Sequence, residues 1–225
     1  LATSIYPFNL PYNAPLERIR IYLAHFGVKL ADIYETLGLP EENDAWVAET
    51  LGLSSPEWER LMRREPYDAA ELCKVYGFSG IKSGMQIGGI DVVETFLKQT
   101  GLTPDELTEL RVMDVSLVGS LEDGLPGDRI DGLDIERLDC LSRFIRLAKR
   151  LGWSFSDLHW ALRSLGADPE DASWTVLVYV YTLPDLAKIK KISDKYTLAV
   201  ALMCSFVHDI HTNSGFAALN PPVPN

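Results

Sequence analysis

The chain reads as an all-α protein, an array of short helices and helical hairpins with no substantial sheet. Three observations carry that expectation. Apolar residues recur at steps of three and four along most of the 225 residues. A phrase that stops one helix and starts the next is repeated four times. The one strand-like run, WTVLVYVYTL at 174–183, has no partner strand and is therefore expected to be helical.

The phrase is plainest in GLDIERLDCLSRFIRLAKRLGWSFSDLHWALRSL, residues 132–165. Leu141, Phe144, Ala148 and Leu151 form a helical stripe. Arg143, Arg146 and Arg150 share the same spacing on another face, which is expected to be wet. Asp134 and Glu136 open this helix and Lys149 and Arg150 close it, in keeping with the macrodipole. Gly152 suits a left-handed stop, because only glycine takes positive φ without a Cβ penalty. Ser154 follows as N-cap with Asp157 three places on, a capping box with Asp in place of Glu. Trp153 and Leu158 supply the hydrophobic staple.

The same wording occurs at Gly27, Gly52 and Gly101. Each copy has an apolar residue after the glycine (Val28, Leu53, Leu102, Trp153) and an acid five places on (Asp32, Glu57, Glu106, Asp157). Ser54, Thr103 and Ser154 are hydroxyl caps, whereas Lys29 makes the first box the weakest. A degenerate fifth copy at 195–202 places Thr197 as the cap and Val200 where the acid should be. The copies stand about 25 or 50 residues apart, too uneven for a strict solenoid. These acids read as caps rather than catalysts.

Taken in order, residues 1–15 form an extended strap whose Tyr6, Phe8, Leu10 and Tyr12 pack on the helices behind. Residues 16–165 form the helical-hairpin core. It opens with a helix at 16–26, where Pro15 suits N1 with Asn13 or Ala14 before it; the helix carries the stripe Leu16, Ile19, Leu23 and Phe26 and ends at Gly27. Helices follow at about 30–37, 42–50, 56–64 and 67–76, then at 92–100 and 104–112. The Gly-rich stretch 77–89 reads as a surface loop; it lacks the GxxxxGK pattern and preceding strand of a phosphate loop. Gly119 to Gly132 is a second, acidic, turn-rich stretch. Residues 166–225 carry C-terminal helices, one starting at Pro184 and one at 197–210, and a Pro-rich tail.

The net charge of −11 and the sequence pI near 4.8 argue against nucleic acid or an anionic membrane as the main partner. No apolar run approaches the roughly 20 residues that a membrane helix needs. Cys73, Cys140 and Cys204 lie far apart on expected helices and read as buried free thiols. Leu1 and the absence of a signal peptide give the look of a piece cut from something longer.

One dense cluster of chemistry-bearing residues occurs, Cys204, His208, Asp209 and His211 in CSFVHDIH. On a helix the cysteine and two histidines would share a face, and His208–Asp209 is similar to the HD pair of metal phosphohydrolases. No matching ligand cluster stands elsewhere, and His25 and His159 lack such a context. The chain also lacks GxSxG, HExxH and a calcium-loop pattern. The expectation is no catalytic, cofactor-binding or metal residue, hence no enzyme.

The strap and first hairpin, YPFNLPYNAPLERIRIYLAHFGVKLADIYETLG, the phrase VVETFLKQTGLTPDELTEL and the central 132–165 phrase together resemble one family. It is the A subunit of bacterial insecticidal toxin complexes (Tc toxins), and the same region is similar to the virulence-plasmid A proteins. The phrases fall in family order and span much of residues 6–165. Past 165 the likeness weakens: the helix at 197–210 lacks the usual acid, and only Gly215, Phe216, Leu219, Asn220 and Pro221 echo the family's ending.

The resemblance implies a non-catalytic piece of an α-helical shell. Members form homopentamers around a translocation channel, engage host surfaces through other domains, and open at acid or alkaline pH. The channel then enters the membrane and delivers a toxic enzyme carried by partner subunits. Secretion or display on the bacterial surface is implied with it. Two other readings remain open on the residues alone. One is a free-standing helical-repeat module that binds a peptide in a groove. The other is a metal-dependent hydrolase using the 204–211 cluster.

Overall fold

The computed structural model describes residues 1–41, 43–78, 89–113, 129–130, 133–166 and 177–207. Over these it is helical, with α1 Ala14–His25, α2 Leu30–Thr36, α3 Asp44–Thr50, α4 Ser55–Met62, α5 Ala69–Val75 and α6 Val93–Thr100. There follow α7 Pro104–Met113, α8 Ile135–Leu151, α9 Phe155–Ser164, α10 Leu177–Tyr196 and α11 Val200–Val207. Among the described residues no sheet forms; the one β-bridge joins Val92 to Arg129. The all-α architecture is as the periodicity predicts.

The corners are where local sequence decides the structure. Gly27, Gly52, Gly101 and Gly152 all take positive φ, between 66° and 74°. At three of them the next amide reaches back to close the helix: Val28 N–H to Leu23 O, Leu53 N–H to Ala48 O and Trp153 N–H to Ala148 O, at 2.8–3.2 Å. This six-to-one bond satisfies carbonyls that the helix end would otherwise orphan. At Gly101 the glycine's own amide bonds Leu97 O instead.

The boxes behave as their side-chain lengths dictate. At Thr103 both halves form, Glu106 N–H to Thr103 Oγ1 at 3.1 Å and Thr103 N–H to Glu106 Oε2 at 2.8 Å. Asp157, one methylene shorter, instead accepts from the Ser154 hydroxyl at 2.8 Å while its own amide donates back to Oγ. At Lys29 only the return bond to Asp32 Oδ2 forms, because an ammonium cannot accept. A full box not singled out from sequence occurs at Asp68 and Glu71.

The expected fifth corner is shifted by two residues. Thr197 does not cap α11; it takes φ +54° and stands where the other corners have glycine. Leu198 N–H then closes α10 onto Ser193 O at 3.1 Å, and α11 begins at Val200. A left-handed conformation costs a non-glycine residue roughly 1–2 kcal/mol. Pro184 likewise fails to start a helix, since α10 runs straight through it. Proline removes one backbone bond there, but Leu183, Leu186 and Ala187 are fully buried and hold the helix to the core.

One hydrophobic cluster runs from Phe8 in the strap to Cys204 in α11. Its centre is α8, buried on nearly every side, with Leu138, Leu141, Phe144, Ile145, Leu147, Ala148 and Leu151 in the core. Helix α8 packs on α5 and α9, and α9 in turn on α7 and α11. Helix α10 lies across α3, α4 and α11. A large apolar side chain fully buried in such a core contributes about 1.5–3 kcal/mol, and Trp46, Phe96 and Phe144 are among the largest so buried.

Helix α1 departs from expectation. It starts at Ala14, two residues before the expected 16–26, with the Asn13 side chain accepting from Leu16 N–H at 3.2 Å. Its predicted stripe does not reach the core: no residue of α1 is buried, and Ile19 and Phe26 are exposed. It is held chiefly by Arg20, which pairs with Glu49 and donates to Leu53 O at the end of α3.

Candidate functional site

The basic row of α8 carries the most unusual environment in the chain. Spacing alone places Arg143, Arg146 and Arg150 on one face, which a short surface helix would turn to water. Here that face is inside. Arg143 is 1% exposed and Arg146 5% exposed, because the strap and α4 cover what the sequence marks as the wet side of α8. The sequence expectation fails for Arg143 and Arg146 because α8 is the central helix and is covered there, while Arg150 near its end stays half-buried.

The cations of this row hold helix-end carbonyls, strap carbonyls and two carboxylates. Arg143 pairs with Asp139 one turn back, and its Nη1 donates to Leu61 O at 3.1 Å and Arg63 O at 2.8 Å. Those carbonyls lie at the C-terminus of α4, where Arg63 turns to an extended conformation and helical bonding stops. Lys149 Nζ does the same for the end of α6, donating to Gly101 O at 3.0 Å. Arg150 Nε pairs with Glu57 Oε1, whose other oxygen accepts from the Ser54 amide and hydroxyl. Glu57 is thus both cap and counter-ion.

Arg146 clamps the strap. Its Nη1 donates to Phe8 O at 2.8 Å and to Leu10 O, its Nη2 to Ile5 O at 2.6 Å, and its guanidinium lies 4.3 Å from the Phe8 ring centroid. The strap is not fully extended as expected; Leu10 N–H bonds Pro7 O and bends it, so three carbonyls converge on one guanidinium. Phe8 and Leu10 are buried as the sequence predicts, Tyr6 is half-buried and Tyr12 is exposed. Phe8 continues into an aromatic run with Tyr76 at 5.3 Å and Phe96 at 6.5 Å. Tyr76 is fully buried and donates to Leu138 O at 2.8 Å; burial pushes its hydroxyl well above the ordinary range.

Arg146 meets only neutral acceptors. Burial, and then the nearby Arg60 guanidinium, lower it to about 9. Arg60 is nine-tenths buried, and its Nε and Nη1 have no hydrogen-bond partner; Nε of Arg146 also has none. A cleft of about 350 Å3 opens beside this cluster, between the strap, the end of α6 and α8. Its cationic lining is Lys98, Arg146, Lys149 and Arg150.

A second cleft of about 560 Å3 lies between α1, α2, α3 and α10. Six of its charges are matched in pairs, Arg20 with Glu49, Lys191 with Glu35 and Lys29 with Asp194. The Lys191 hydrogen bond holds the Glu35 carboxyl below its ordinary value, and Glu35 and then Glu41 raise Lys191.

The residues singled out for chemistry are not brought together. Of Cys204, His208, Asp209 and His211, Cys204 is buried on α11 and the other three lie outside the described residues. Among the described residues no group of three His, Cys, Asp or Glu side chains could hold a metal ion, and no helix is long and apolar enough to cross a membrane. Cys73 and Cys204 are buried free thiols; Cys140 is half-buried, and burial together with Asp139 pushes it up to about 12. His25 is exposed beside Phe26, and His159 is buried edge-on to Trp160. The Gly-rich 80–88 run and the acidic 119–128 run lie outside the described residues.

No protein-family model, curated protein or solved structure matches the chain.

Proposed function

We propose that the chain is a non-catalytic α-helical shell piece of a toxin-complex A subunit, with a structural and interaction role in a pore-forming translocation assembly that contributes to virulence. The observation that carries this reading is α1. It buries none of its residues, and Ile19 and Tyr22, with Phe26 at its C-cap, present an apolar face to solvent at helical spacing, of the kind that marks an interaction surface. The three family-like phrases, in family order, support this choice of assembly. Two charges of the α8 face serve the fold, since Arg143 and Arg150 are each paired with a carboxylate, Asp139 and Glu57.

On this reading the partners are other domains of the same subunit, four further copies in a homopentamer, and the toxin-complex subunits that carry the delivered enzyme. Host surfaces are met through other domains. The assembly is secreted or held on the bacterial surface. Mass photometry of the full-length parent protein tests it: particles of five subunits are expected, and a monodisperse monomer overturns it. A peptide-binding helical-repeat module is the second reading the α1 face favours. It predicts a monomeric parent in which the same face takes an amphipathic peptide.

A further inference from the structure

We infer that the cleft between the strap, the end of α6 and α8 is a binding site for a single phosphate-class oxyanion, with Lys98, Arg146 and Lys149 as its cationic ligands. The argument starts from charge. The chain carries 32 acidic and 21 basic residues, yet among the described residues no Asp or Glu lines this cleft. Four cations line it, and one of them, Arg150, already has Glu57.

The second observation is missing countercharge. Arg146 donates only to the carbonyls of Ile5, Phe8 and Leu10, and Arg60 next to it leaves Nε and Nη1 without an acceptor. Buried cations are normally paired or fully hydrogen-bonded, because removing them from water is costly. Arg146 hydrogen-bonds no carboxylate among the described residues and its side chain lines an open space, while Arg60, outside that lining, adds positive charge near it. An anion in that space supplies what the protein does not.

Size and shape narrow the ligand. A cleft of about 350 Å3 is at the small end of ligand sites, room for one oxyanion on a compact molecule. A polyanion is disfavoured, since the −11 net charge repels it outside the cleft. A dianionic tetrahedral group suits a cleft whose cations come from two helices, Lys98 on α6 and Arg146 and Lys149 on α8. This site is independent of the shell reading.

Titration of the 225-residue chain with inorganic phosphate, followed by amide shifts at constant ionic strength with chloride as balance, tests the inference. Saturable shifts confined to Asn9, Gly101 and Lys149 and their neighbours are expected. Lys149→Gln should weaken binding about tenfold and the exposed Lys98→Gln about threefold, while Lys74→Gln, outside the cleft, leaves it unchanged. Shifts that do not saturate, or that Lys74→Gln alters as much as Lys98→Gln, overturn the assignment. Glycerol 2-phosphate run in parallel separates the sources: equal affinity marks free phosphate, and tenfold tighter binding marks a phosphomonoester. Failure of this test leaves the oligomeric state of the parent, and so the shell reading, untouched.

Discussion

Asp139 and Arg143 face each other one turn apart on α8 through two near-parallel hydrogen bonds, Nε to Oδ1 at 3.1 Å and Nη2 to Oδ2 at 2.8 Å. Their side chains are 4% and 1% exposed. Arg143 then extends to the α4 carbonyls, so the pair fixes one helix and caps another. Removing one partner of a buried pair strands the other charge, which typically costs about 3–5 kcal/mol. Asp139→Ala should therefore lower the urea-unfolding free energy by about 3 kcal/mol. A loss under about 1 kcal/mol would mean that Arg143 finds water, and that the face is wet after all.

Thr197 gives a prediction of the opposite sign. It holds φ +54° at a corner whose equivalents are glycine. Thr197→Gly relieves the left-handed strain but frees the unfolded chain, so a net gain of about 1 kcal/mol is expected in the same assay. A loss of stability would show that the threonine side chain makes a contact worth more than the strain.

Gly77 is needed for a different reason from the other corner glycines. A Cβ there would sit 2.6 Å from carbons of the Tyr6 ring, and φ is +76°. Gly77→Ala should cost about 3 kcal/mol, from a left-handed penalty plus displacement of the strap. In a Tyr6→Ala background the clash is gone and the cost of the same change should fall to about 1 kcal/mol. Equal costs in both backgrounds would mean that the strap does not rest on Gly77.

How far the sequence foretells these features depends on the range of the interaction. The corners at Gly27, Gly52, Gly101 and Gly152 were legible because a helix stop is set within six residues. Thr197 was misplaced for the same reason: read locally a threonine is a cap, and only the packing of α10 and α11 forces it left-handed. The burial of Arg143 and Arg146 was not legible, because apart from Asp139 their acceptors are backbone carbonyls of residues 5–10 and 61–63, and carbonyls leave no signature in side-chain identity. Helix α1 erred the other way. Its stripe has helical period, but period says that a face exists and not that this chain covers it.

Acid should weaken the fold through two carboxylates. Glu35 is lowered by its bond from Lys191, and Glu71 by its two bonds from Arg63, at 2.7 and 2.9 Å. Both lie below the ordinary 4.5, so their stabilisation is fully present above that pH and is lost as pH falls through the lower folded values. Lys191 is raised above 10.5, so its share persists below that pH and is lost above its raised folded value. In urea titrations between pH 7 and 3, Glu35→Gln with Glu71→Gln should flatten the acid slope. An unchanged slope would place the acid sensitivity elsewhere.

The most direct test of the functional account concerns the bare face of α1, where Tyr22 is 70% and Phe26 76% exposed. Hydroxyl-radical footprinting of both residues should be compared between the 225-residue chain and the assembled full-length parent. The account predicts strong labelling in the isolated chain and protection by about fivefold or more, an order-of-magnitude expectation for an apolar face buried at an interface. Equal labelling in the two would leave α1 a solvated helix, and would contradict the proposal that this chain is a piece of a shell.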